Sequence, residues 1–408
     1  MNIDINGAYT PQRTGSGRFA WLNSYSILGF FFYSHYLIGV LLPDVTGLTV
    51  IPFLTVFLVA MTRRRAIAAD KQVLMFLVTA FAIYTFSFLL SEFSEYSNYK
   101  YLMFLLKVGS LMLVATLIEK HRVGDFFFGV SVALIIFLVI AALYFFRASE
   151  GLDINTRLEV GVFNPIWIGR AAFECVLIST LILGRRRWHV AIILLLAVFV
   201  TYVSGTKGPL VSFLVVALLF LAKKMRASSF KYVAGSIIGL GVLAAVFFVV
   251  TSSLDAESYF VQRFLMSVPD GSSDEILESA RTTMWPVSLA LLAKADVFNL
   301  LFGHGVGEFA TFYFGQAQNF RFYPHNLLLE LVIEQGLVVM IIFLLYIIRL
   351  FAKSVSGFKY LMVYFVVNAM FSGDLILNEY IFFYAACALA FRKCENDVRV
   401  FAHAASPR

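Results

Sequence analysis

Tyr323-Pro324-His325-Asn326-Leu327-Leu328-Leu329-Glu330 opens a run that passes Glu334 and Gly336 and then stays apolar to Phe351. About 20 apolar residues cross a bilayer as a helix, so a histidine and two carboxylates stand at the mouth of a membrane helix. Before them lies a polar stretch with Arg281 and the glycine-rich Gly303-His304-Gly305-Val306-Gly307. The remaining apolar runs read as a scaffold that carries other charged groups to this mouth.

Composition agrees. Hydrophobic residues make up 60% of the 408 and charged residues only 14%, against roughly 25% charged in soluble domains. Arg13 and Arg18 precede the first apolar run and no small-residue cleavage site follows it. That run is therefore expected to be a retained span rather than a signal peptide. The net charge of +7 could serve nucleic acid, but the basic residues sit in short clusters between apolar runs. Such clustering is the bias of cytoplasmic loops, and no nucleic-acid partner is expected. Cys175 and Cys387 lie in apolar runs and Cys394 in the tail, which gives neither a disulfide framework nor a zinc spacing.

The expected fold class is an all-α polytopic membrane protein of about 12 transmembrane helices. The runs are 20–42, 48–61, 73–90, 101–118, 126–146, 165–183, 189–203, 209–222, 232–250, 331–351 and two more that bracket Ser372-Gly373-Asp374. Every second loop is basic: Arg63 to Arg65, Lys120 with Arg122, Arg185 to Arg187, Lys223 with Lys224 and Arg226, and Lys353 with Lys359. The positive-inside rule then places both termini in the cytoplasm. Residues 1–408 form one membrane domain, with a long extracytoplasmic loop, 251–324, inserted between spans. In that loop Ser272 and Glu275 have capping-box spacing. Residues 276–293 read as an amphipathic helix interrupted by Pro286, with Arg281 and Trp285 on one face.

Ionisable groups in or beside a span are functional candidates by default. Lys207, in the turn Ser204-Gly205-Thr206-Lys207-Gly208, reads either as an ordinary loop lysine or as part of an anion-binding turn. Arg170 and Glu174, four apart, share a helix face and either neutralise each other or serve a site. Lys107 and His35 read as structural, the one snorkelling and the other packed in its span. His304 is a lone loop histidine. His325 differs because it opens a helix with Glu330 and Glu334 beyond it. The spacing is not that of a His-Glu-x-x-His zinc site, so a base or phosphate contact is the better reading. The two glutamates then pack the helix or orient the histidine. Asp374 reads as a turn residue or a second carboxylate on the same face.

These residues, taken in order, point to a family. Ser204-Gly205-Thr206-Lys207-Gly208, then Arg281-Thr282-Thr283-Met284-Trp285, then Gly303 and Gly305, then His325 to Glu330 with Gly336, resemble the O-antigen polymerase and O-antigen ligase superfamily. The resemblance implies a bacterial inner-membrane glycosyltransferase of the all-helical GT-C class. It uses a glycan on undecaprenyl diphosphate as donor and needs no metal or other cofactor. It implies His325 as the catalytic base and Arg281 as the loop arginine. It puts Lys207 where many members carry arginine, a change that keeps the charge but loses bidentate geometry. Asp374 resembles an acidic residue of the last outer loop, and Arg157 and Arg170 match cationic positions near the sixth span.

The implied chemistry suits those side chains. A sugar hydroxyl attacks the anomeric carbon and a lipid diphosphate leaves. The leaving group is already a stable anion, so it needs cations such as Lys207 and Arg281, while the hydroxyl needs a base. The paired carboxylates of a glycosidase are then unnecessary. A polymerase would pass the chain to another lipid-linked repeat unit, and a ligase would pass it to the lipid A core. The two short turns look more like the polymerase branch, which usually works with a chain-length regulator protein. A non-enzymatic carrier or flippase for lipid-linked glycans is the reading from another class. The absence of an evident internal repeat and of a matching polar site on the cytoplasmic face argues against it.

Overall fold

A computed structural model of the chain describes residues 23–62, 71–148, 160–161, 163–225, 284–316, 318, 321–354 and 356–391. Among the described residues there is no strand, only an isolated bridge between Val160 and Phe163. Among the described residues six helices are long and apolar enough to cross a membrane: Ser24–Leu41, Lys71–Leu89, Glu95–Leu117, Lys120–Phe145, Pro165–Ile182 and Leu327–Lys353. Four shorter apolar helices accompany them: Gly47–Val59, Arg187–Val203, Phe358–Ala369 and Tyr380–Ala390. This is the architecture of a polytopic membrane protein. About twelve spans were expected; six reach spanning length here, and the run 232–250 lies outside the described residues.

Local sequence explains the helix starts. Asn23 caps the first helix, its side chain accepting from Tyr25 N and Ser26 N. Asn164 does the same for the helix that begins at Pro165, and a proline in the first turn lacks only an N–H that had no helical partner. Ser94 caps Glu95–Leu117 through Ser97 N. Between Ser24–Leu41 and Val123–Ala148 the backbones touch where Gly29 faces the Phe126 carbonyl and Gly129 faces that of Ser26. Small residues at such a crossing let membrane helices approach closely.

The last helix, Tyr380–Ala390, is the centre of the bundle, with Tyr380, Phe383, Tyr384, Ala385 and Cys387 all buried. Around it the loops segregate to two ends. At one end Tyr96 meets Asp374, Ser97 meets Glu308, and Gly208 lies against Phe371. At the other, Gly357 lies against Leu181, Phe358 packs on Phe127, and Lys359 Nζ donates to the Ser354 carbonyl at 2.6 Å.

The span Leu327–Lys353 is not one regular helix. It has α-helical Leu327–Glu330, a π-helical turn Leu331–Gln335, and α-helical Gly336–Lys353. Gly336, at φ +87°, breaks it. An added Cβ there would strike the Leu301 carbonyl, so no other residue fits. Irregular backbone at membrane depth must find its hydrogen-bond partners in protein. It does so in the glycine-rich loop: His304 N donates to Ile333 O at 2.8 Å and Gly305 N to Glu334 O at 3.0 Å. Ser87 Oγ adds a bond to Glu334 O at 2.9 Å.

The described part of the long loop is docked rather than free. Residues 284–292 of it are helical and include Pro286, while 276–283 lie outside the described residues. Met284 packs with Phe309 and Ile333, and Trp285 Nε1 donates to the Pro324 carbonyl at 2.8 Å; these contacts hold the segment in place. The proposed capping box at Ser272 and Glu275 lies outside the described residues.

Candidate active site at the mouth of the broken span

His325 has φ +52°. A left-handed backbone is uncommon for a residue with a Cβ and persists only where its surroundings fix it. Three neighbours do so. Pro324 is held by the Trp285 indole. Tyr323 packs on the imidazole with ring centroids 4.3 Å apart. Asn326 caps the helix behind it, accepting from Leu328 N at 3.0 Å and Leu329 N at 3.2 Å. Asn326 Nδ2 also reaches the Met370 carbonyl at 3.4 Å, which ties the histidine's neighbour to the loop between the last two helices.

That loop, from Met370 to Leu377, is where the sequence-predicted residues converge. Arg170 is 1% exposed. It donates to Ser372 O at 2.7 Å, Asn368 O at 3.3 Å and Leu377 O at 3.3 Å. Asp374 Oδ2 accepts from Tyr96 at 2.7 Å and meets Arg321 Nε at 3.3 Å, while Oδ1 caps Leu377 N. Gly208, next to Lys207, lies against Phe371. Lys207 opens the helix Lys207–Met225 and is half-buried, with no ion pair among the described residues. Its turn packs Thr206 on Gly169, beside Arg170. Lys207, Arg170, Asp374 and the residue after His325 therefore border a single loop. Arg281 and Arg157 lie outside the described residues.

Four expectations change. Arg170 and Glu174 share a helix face but do not pair. Arg170, near the helix start, meets loop carbonyls, whereas Glu174, one turn deeper, accepts from the hydroxyls of Tyr33 and Tyr384. Of the two readings for Glu330 and Glu334, packing is the one their contacts show: they close on Lys100. Its Nζ is 2.6 Å from Glu330 and 2.7 Å from Glu334, and all three side chains are fully enclosed. Glu330 also accepts from Leu375 N at 2.9 Å, so this buried triad pins the last loop over the broken span. Asp374 reads better as an anchor than as a second reacting carboxylate, because both of its oxygens are engaged. Lys107 reaches Glu379 at 3.4 Å rather than snorkelling outward. His35 is packed as expected, hydrogen-bonded to Tyr380 and to the Phe32 carbonyl.

Sequence reasoning missed Lys100 and Arg321. Lys100 borders the apolar run 101–118; with Tyr96 and Ser97 on its helix it forms a polar face that helical spacing could have shown. Arg321 gave no signal beyond its place four residues before His325.

Outside the spans, burial holds the His304 imidazole below its ordinary pKa, although Asp296 and Glu308 pull the other way. Glu308 is buried and closes the outer loops together, accepting from Glu92 N, Ser97 Oγ and Thr311 Oγ1. Among the described residues no group of three His, Cys, Asp or Glu side chains could hold a metal ion.

A many-helix membrane protein with polar and charged side chains gathered around the 370–377 loop is thus defined. Residues 190–344 match the family model described as O-antigen ligase. This match contains Lys207, Arg281 and His325 and is a likeness to the O-antigen polymerase and ligase superfamily over that part of the chain. No curated protein matches the chain.

Proposed function

We infer that the chain is an O-antigen polymerase of the bacterial inner membrane. It transfers a glycan from undecaprenyl diphosphate to a sugar hydroxyl of another lipid-linked repeat unit, on the periplasmic face. The carrying observation is the convergence on the 370–377 loop of the family-matched His325 segment and the Lys207 turn. His325, held in a left-handed backbone beside Tyr323, takes the proton of the attacking hydroxyl; a positioned base of this kind supplies about 10²–10⁴ in rate. Lys207 and Arg281 stabilise the charge that grows on the departing diphosphate. Arg170 supports the site from beneath by holding the loop carbonyls, and Lys100 does so through Glu330. A chain-length regulator is the natural protein partner, since polymer length is not set by a single transfer site.

Ligase activity, with the lipid A core as acceptor, is the second reading, and the family description favours it. The two share donor chemistry and differ in acceptor. Lipopolysaccharide gels of a deletion strain separate them: single repeats on the core mean polymerase, no attached repeats mean ligase. His325→Ala and Arg281→Ala should leave the protein in the membrane but remove long glycan chains. Normal ladders from both variants would reject the assignment.

A further inference from the structure

Arg321 is a cation of the described mouth that shares none of the roles of Lys207, Arg170 and Lys100. Its side chain is 41% exposed, while the Asp374 carboxylate it meets is fully buried. The contact is made through Nε, at 3.3 Å from Oδ2. That oxygen also accepts from Tyr96, and Oδ1 is held by Leu377 N, so the carboxylate is fixed from three sides. The guanidinium carbon lies 5.0 Å from the centroid of the Tyr323 ring, and the same ring packs on His325. Among the described residues the two terminal nitrogens of Arg321 have no hydrogen-bond partner. An arginine that only neutralises a carboxylate gains most from a two-pronged contact. The shortest contact of Arg321, through Nε, fixes the side chain, and at 41% exposure its outer donors can meet another anion. Burial opposes the charge, but Asp374 and Tyr323 outweigh it and hold the guanidinium firmly protonated.

The geometry points to Arg321 as an anion-binding residue beside His325, with Asp374 and Tyr323 as the positioning residues that aim it. The ligand class is a phosphate ester carried on a lipid. On the function proposed above, on which this step rests, it is the diphosphate of the glycan donor. Planar guanidinium donors suit phosphate oxygens better than an ammonium does.

The test uses the purified full-length chain in nanodiscs of zwitterionic lipid, with labelled undecaprenyl diphosphate as probe. Arg321→Ala should weaken binding tenfold or more, and Arg321→Lys should recover part of it. The double variant Arg321→Ala with Asp374→Asn removes both members of the pair. It should regain the thermal stability lost by Arg321→Ala but not the affinity. If the double variant binds the probe as the wild type does, Arg321 is only a structural counter-ion and the proposal falls. Competition decides the source of the phosphate. Displacement by unlabelled diphosphate, but not by undecaprenyl phosphate or phosphatidylglycerol, supports it; equal displacement by phosphatidylglycerol overturns it in favour of a membrane headgroup. Wild-type affinity in Arg321→Ala overturns this inference and leaves the reaction untouched. Normal glycan ladders in His325→Ala overturn the reaction, whatever Arg321 does to the probe.

Discussion

Replacing Lys100 by methionine should be among the most damaging single changes in this chain. The ammonium serves two carboxylates at 2.6 and 2.7 Å, and all three side chains are fully enclosed. Methionine matches the length of the aliphatic stem, so the change removes charge with little loss of packing. Two carboxyl groups then face each other without a cation, in a region that water does not reach. Removing one partner of a buried ion pair costs about 3–5 kcal/mol, and sharing one cation between two acids places this case toward the upper end. Glu330 also holds Leu375 N, so the loss should loosen the loop that carries Asp374 as well. Equilibrium unfolding in mixed detergent and dodecyl sulfate micelles reads the effect. Lys100→Met combined with Glu330→Gln and Glu334→Gln should recover most of the stability, because neutral amides can still hydrogen-bond while no charge remains unpaired. A Lys100→Met variant within about 1 kcal/mol of wild type would show that the triad is not what holds the broken span, against the expected magnitude.

Other perturbations bear on neighbouring steps. Gly336→Ala puts a methyl group on the Leu301 carbonyl in a backbone with positive φ. It should cost about 1–3 kcal/mol in the same unfolding assay and lower activity, by displacing the π-helical turn. Lys207→Ala should reduce polymer formation in reconstituted vesicles by about 10²–10³-fold, the usual effect of losing one electrostatic stabiliser. Lys207→Arg should restore it, and equal activity in all three would remove Lys207 from the site. His304 contributes a pH dependence. Its folded pKa lies below the ordinary value because of burial, so the unfolded chain takes up the proton first as pH falls. Stability is then expected to decline on acidification below about 6.5, the unperturbed histidine value, and His304→Asn should flatten that decline.

Much of this architecture is readable along the chain. Long apolar runs declare membrane helices because the bilayer core cannot solvate a backbone that is not internally hydrogen-bonded. Alternating charge along the loops carries the expectation of two membrane faces. His325 was identifiable because a proline, a cap-forming asparagine and an apolar run surround it; its strained backbone was not. Helical spacing put Arg170 and Glu174 on one face, but it could not say that each binds something else.

Linear order determined the class of protein and the segment around His325, since these follow from local composition and short-range geometry. Only the tertiary structure decided which charges meet. Lys100 finds acids more than 200 residues away, and Asp374 finds Tyr96 across a separation of 278. An ion pair depends on where two helices are brought side by side, and no pattern within either helix specifies its partner.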